Sequence, residues 1–177
     1  MEKYIALLRG INVSGQKMIK MEELKRVLAS LNFNNVRTYI QSGNILFETE
    51  KSDPAELAKM IAEKISVHFK FEVPVVIRTL TDLEKISNNN PFLEKRNEHI
   101  EKLHVTFFPG EPDPVHLNKI EKNSFLPDEF VMSGKEIFLF CPNGYGRTKL
   151  TNQFFESKLK LTATTRNWKT VEMLLKL

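Results

Sequence analysis

Tyr39-Ile40-Gln41-Ser42-Gly43-Asn44-Ile45-Leu46-Phe47 is the stretch from which the fold can be read. Two β-type runs, Val36 to Gln41 and Asn44 to Thr49, flank Ser42-Gly43. This pattern predicts a hairpin with a two-residue turn that places Gln41 opposite Asn44 and Ile40 opposite Ile45. Upstream, Tyr4 to Leu8 is continuously apolar, as expected of a strand covered on both faces. Met21, Leu24, Val27, Leu28 and Leu31 then recur on one helical face, with Glu22 and Glu23 where the helix dipole favours them. Downstream, Asp53, Pro54 and Glu56 spell a helix start, and Leu57, Ala58, Ile61, Ile65 and Phe69 supply its apolar stripe. A strand from Val73 to Leu80 closes the series. Strand, helix, strand, strand, helix, strand is the order of the split βαβ, or ferredoxin-like, plait.

The hairpin wording returns at Phe130-Val131-Met132-Ser133-Gly134 through Ile137-Phe138-Leu139-Phe140. Around it the sequence predicts a strand over Lys102 to Phe108, a helix over Pro114 to Lys122, and strands over Glu129 to Met132 and Glu136 to Cys141. A helix from Thr151 to Leu159 turns Phe154, Phe155 and Leu159 inward. A terminal helix carries Trp168, Val171, Leu174 and Leu175, with Thr164 or Thr165 as its cap and Arg166 and Asn167 in its first turn. Thr81 to Ser87 reads as a short helix, and Asn88-Asn89-Asn90-Pro91 marks a boundary. The expected fold is α+β: two ferredoxin-like halves, residues 1–90 and 91–177, packed together and pseudo-duplicated, the second with an extra C-terminal helix.

A chain of 177 residues can bury a real core, roughly 70% of its unfolded surface by the usual scaling. Its single cysteine, Cys141, excludes an internal disulfide, and no Cys and His set has structural zinc spacing. A reducing, cytoplasmic setting fits this usage. No apolar run reaches the length of a signal-peptide core or a membrane span. The formal charge of +4 is spread along the chain and permits anionic partners without requiring them.

Two polar, glycine-bearing loops follow predicted strands: Arg9-Gly10-Ile11-Asn12-Val13-Ser14-Gly15 and Asn143-Gly144-Tyr145-Gly146-Arg147-Thr148-Lys149. Both combine cations, side-chain amides or hydroxyls, and backbone free to take positive φ, the parts with which loops hold phosphate and carboxylate. Ordinary connecting turns use the same parts. The plait is expected to set the Ser42-Gly43 turn at the sheet end opposite the Arg9 loop, and the loop after Cys141 at the edge equivalent to it. On that basis Arg9, Asn12, Lys17, Arg147, Lys149, Thr165, Arg166 and Asn167 are the candidate ligand-binding residues.

The sequence also resembles a bacterial domain-of-unknown-function family, numbered sixteen ninety-seven. The resemblance rests on Leu7-Leu8-Arg9-Gly10-Ile11-Asn12-Val13, on Thr38-Tyr39-Ile40-Gln41-Ser42-Gly43-Asn44, on Gly146-Arg147-Thr148-Lys149-Leu150-Thr151-Asn152, and on Ala163-Thr164-Thr165-Arg166-Asn167-Trp168. It implies paired ferredoxin-like halves and brings no accepted activity. The first loop departs from the family pattern: a usual lysine is Gln16 here, with positive charge at Lys17 and Lys20 instead.

Catalytic motifs are not legible. His68, His99, His104 and His116 fall on different elements without a nucleophile, and Cys141 reads as a small buried hydrophobe. The Gly144-Tyr145-Gly146-Arg147 loop lacks Walker spacing and does not precede a dinucleotide fold, so it does not read as a nucleotide fingerprint, and no cofactor is expected. The leading expectation is a polar site for a small anionic or phosphorylated ligand. Single-stranded nucleic-acid binding and a protein-interaction or homodimer module are the alternatives, although the aromatic motif of an RNA-binding sheet is missing.

Overall fold

A computed structural model describes residues 1–177. The first apolar run forms β1 (Glu2–Leu8), followed by α1 (Met21–Ala29), the hairpin β2 (Asn34–Tyr39) and β3 (Asn44–Thr49), α2 (Pro54–Phe69) and β4 (Val75–Thr79). β1 pairs antiparallel with both β3 and β4, and the order across the sheet is β2-β3-β1-β4. This is the ferredoxin-like plait. Side chains alternate along β1: Tyr4, Ala6 and Leu8 join Leu24, Leu28, Ile61 and Ile65 beneath the helices, while Ile5 and Leu7 on the opposite face are also fully buried. Asp53 caps α2 as expected, its carboxylate accepting from the N–H groups of Ala55 at 2.8 Å and Glu56 at 3.1 Å.

The chain continues through α3 (Leu80–Asn88) and α4 (Pro91–Arg96) into β5 (Leu103–Phe107), α5 (Pro114–Leu117), the hairpin β6 (Glu129–Ser133) and β7 (Glu136–Phe140), α6 (Asn152–Leu159), β8 (Thr164–Asn167) and α7 (Trp168–Leu174). The second sheet runs β6-β7-β5-β8, the same order as the first. Two compact units result, one comprising Met1–Glu84 with Leu174–Leu177, the other Lys85–Met173. Their similarity extends to single positions. Ile5 pairs with Arg78 in the first sheet and Val105 with Arg166 in the second, and both arginines are buried. Each donates Nη1 to the carbonyl of the residue before it, at 2.8 Å to Ile77 and 3.0 Å to Thr165.

Several expectations need correction. Tyr39, not Gln41, pairs with Asn44, and Thr38 pairs with Ile45, so the first hairpin closes on a four-residue loop, Ile40 to Gly43. Ile40 takes a left-handed φ of 50° and half of its surface is exposed. The loop lies at the same sheet end as Arg9, because β3 starts where β1 ends: the N–H of Leu8 donates to the carbonyl of Gly43 at 2.8 Å. By the same antiparallel logic, Leu103 at the start of β5 pairs with Phe140 at the end of β7. The loop after Cys141 therefore stands at the end opposite the one where β5 finishes.

Thr164 to Asn167 is not a cap and first turn but β8, paired with β5; Asn167 itself accepts from the N–H of Thr170 at 2.8 Å. The helix expected over Pro114 to Lys122 shrinks to one turn, followed by a 3₁₀ turn at Lys122–Phe125.

Candidate anion-binding site

The candidate residues of the first unit serve the Arg9 loop itself. Gly10, Asn12, Ser14, Gly15 and Lys17 all take positive φ, giving a tightly reversed path. Asn12 holds it. Its Oδ1 accepts from the N–H of Ile19 at 2.8 Å, and its Nδ2 donates to the carbonyls of Ile19 at 3.0 Å and Gln41 at 2.8 Å. With acceptor and donors occupied, Asn12 fastens this loop to the hairpin. Lys17 donates Nζ to the carbonyl of Glu72 at 2.6 Å. Arg9 leaves β1 half-buried, its N–H bonded to the carbonyl of Pro74 at 2.9 Å.

In the second unit Thr165 and Asn167 are likewise committed. The Thr165 hydroxyl donates to Oδ1 of Asn152 at 2.6 Å, so its 2.8 Å partner Thr106 must donate to it. This chain ties α6 to β8 and β5, and with them two of the quoted motifs. The register-equivalent positions in the first unit are Ala6 and Ile77, which are apolar. Arg166 is buried and donates Nη1 to Oγ1 of Thr164 at 2.8 Å.

Arg147 and Lys149 stand differently. Gly144, at φ 91°, starts a 3₁₀ turn over Tyr145–Arg147, after which the chain becomes extended at Thr148. In extended backbone alternate side chains point the same way. Thr148 and Leu150 turn inward and are buried, which sends Arg147 and Lys149 outward together. Both line a pocket of about 400 Å³ with Asn143 from their own loop and Ser124, Phe125, Leu126, Pro127 and Asp128 from the segment before β6. Neither cation is paired with a carboxylate, and the Asp128 carboxylate is likewise unpaired. The two walls meet because Glu129, which opens β6, pairs with Phe140, which ends β7. Asp128 and Ser124 escape a motif search since nothing in their wording suggests a ligand. The signal for them is this cross-strand pair.

Arg96 of α4 secures that end of the hairpin. Its Nη1 donates to both carboxylate oxygens of Glu129, at 2.8 and 2.9 Å, and its guanidinium lies 4.9 Å from the centroid of the Phe140 ring. Glu98 takes a further bond at 2.6 Å. Carboxylate bonding from two sides holds the guanidinium of Arg96 more firmly protonated than usual.

The reactive-looking groups of both units are quiet. Burial pushes the Cys141 thiol up to about 11, and burial lowers His104 to about 4, with the Lys102 carbonyl opposing only part of that shift. His104 is 8% exposed, stacks on Tyr145 at 4.7 Å and leaves Nδ1 without a partner. His68 meets Glu23 at 2.8 Å, away from any nucleophile. No three His, Cys, Asp or Glu side chains converge in a way that would hold a metal ion. Of the strand aromatics, Tyr4, Phe47, Phe107, Phe130 and Phe138 are buried, while Tyr39 and Phe140 are partly exposed, Phe140 beneath the Arg96 guanidinium.

A model of the DUF1697 family, described as a protein of unknown function, matches residues 1–138. The chain belongs to this family. The matched span contains the Asn12 loop and the Ser124 to Asp128 wall of the pocket, and ends within β7. The DUF1697 chain also resembles a solved structure, that of the conserved bacterial protein SP0830 from Streptococcus pneumoniae. The two share 27% sequence identity with a TM-score of 0.75, over 99% of this chain and 97% of that one. No curated protein matches it. None of its helices is long and apolar enough to cross a membrane.

Proposed function

We propose that this DUF1697 protein binds a small phosphorylated ligand in the pocket between the Ser124–Asp128 segment and the Asn143–Lys149 loop. The observation that carries this reading is the pair of unpaired cations, Arg147 and Lys149, sharing one polar cavity of about 400 Å³. Cations left without a carboxylate on a pocket wall are available to an incoming oxyanion, and a guanidinium can hold one through two parallel hydrogen bonds. Asn143 and Ser124 add neutral donors. Thr165 and Asn167 contribute by holding α6, β8 and α7 of the same unit in place.

Titration calorimetry with inorganic phosphate and a set of sugar phosphates tests the reading. Arg147→Ala is expected to weaken binding by roughly 10- to 100-fold, the worth of one charge-assisted contact, while the protein stays folded. Unchanged affinity in Arg147→Ala and Lys149→Ala would overturn it. Binding of single-stranded oligonucleotides that collapses as salt rises, with no response to small phosphates, would favour the nucleic-acid alternative instead.

A further inference from the structure

We infer that the occupant of this pocket is a nucleoside phosphate, with its phosphate at Arg147 and Lys149 and its base against Leu126 and Pro127. The inference rests on the anion-binding reading above and narrows it. A bare oxyanion leaves two features of the lining unused. The first is an apolar lip. Leu126 is 63% exposed and Pro127 is also exposed, beside two cations. Phe125 behind them is packed edge-on against Phe130 at 6.3 Å and Phe154 at 5.0 Å, so the lip has a rigid aromatic backing. A flat apolar ring is the ligand group that covers such a surface; a phosphate or a sugar leaves it wet.

The second feature is Asp128. An ionised carboxylate only accepts hydrogen bonds and repels a simple oxyanion. Its presence among the cations calls for a ligand that carries O–H or N–H donors a short distance from its phosphate. Ribose hydroxyls and the exocyclic amines of bases supply them, and the Asn143 amide can both donate to and accept from a base edge. The cavity, at about 400 Å³, lies in the size range of small-molecule sites, roughly 300–1,000 Å³.

The test is calorimetry on the full chain with inorganic phosphate, ribose 5-phosphate and the monophosphates of adenosine, guanosine, cytidine and uridine. At least one nucleotide is expected to bind tenfold or more tightly than ribose 5-phosphate. Leu126→Ser, at a position 63% exposed and distinct from the two cations, is expected to erase that margin and leave ribose 5-phosphate binding as it was. Equal affinity for ribose 5-phosphate and all four nucleotides, or a margin that survives Leu126→Ser, overturns this inference while the anion site stands. Failure of every probe to bind, or binding indifferent to Arg147→Ala, overturns both.

Discussion

The side-chain amide of Asn12 donates to the main-chain carbonyl of Gln41 at 2.8 Å, joining two loops that are distant in sequence and adjacent at one end of the first sheet. The same side chain takes both polar groups of Ile19, so a single residue fixes the path of the Arg9 loop. Asn12→Ala removes three hydrogen bonds and strands the polar groups they satisfied. A loss of about 1–3 kcal/mol is expected. Chemical denaturation measures it; a midpoint unchanged with unchanged slope would show that the loop is held by other means.

Gly43 and Gly144 separate two costs that glycine substitution usually mixes. Gly43 has φ 78°, and a Cβ there would lie 2.6 Å from Cβ of Leu8 and 2.8 Å from Cδ1 of Ile11. Gly144 has φ 91° with nothing within 4 Å of an added Cβ. Alanine at Gly144 is expected to cost only the backbone strain, about 1–2 kcal/mol, whereas alanine at Gly43 adds overpacking of a further 1–3 kcal/mol. Paired melting curves decide this, and equal losses would contradict it.

His104 makes stability depend on pH. Its value falls from 6.5 to about 4 on folding, so between these limits the unfolded chain binds the extra proton. Stability contributed by the neutral ring is complete above about pH 6.5, declines as pH falls, and levels off below about pH 4. The whole effect is on the order of 3 kcal/mol. His104→Phe keeps a flat ring against Tyr145 and cannot titrate, so its loss of stability between pH 7 and 4 should be smaller than that of the unmodified protein by this amount. Parallel pH curves would refute the assignment.

Cys141 is fully buried and its thiol is raised to about 11. Since the thiolate is the reacting form, alkylation in the native state is expected to be very slow and to become rapid in denaturant. Mass spectrometry of iodoacetamide-treated protein reads both rates; fast native labelling would mean that β7 opens locally.

Much of this architecture was legible in the chain. Tyr4 to Leu8 is buried throughout, and Asp53 caps its helix, because both signals are local and strong. The hairpin register was not legible, since Ser42-Gly43 reads as a tight turn in isolation. What sets the four-residue loop is long-range: Gly43 accommodates Leu8 and Ile11, and Ile40 turns out of the ladder. Thr164 to Asn167 has the wording of a helix start and becomes a strand because β5 offers it an open edge. Arg147 and Lys149 stood out through their glycine-bearing loop. Asp128 and Ser124 did not, as only the pairing of β6 with β7 brings them alongside.

Arg96 grips both members of the Glu129–Phe140 pair from which the two pocket walls depart. An occupant that bridges the walls would therefore load the same joint from its other side, although it never touches α4. The joint then acts as a reporter: amide hydrogens at the Glu129–Phe140 end of the β6–β7 ladder and in α4 should exchange more slowly when the pocket is filled, and Arg96→Met should uncouple the two regions. A ligand too small to span the pocket would leave those amides exchanging at their former rate.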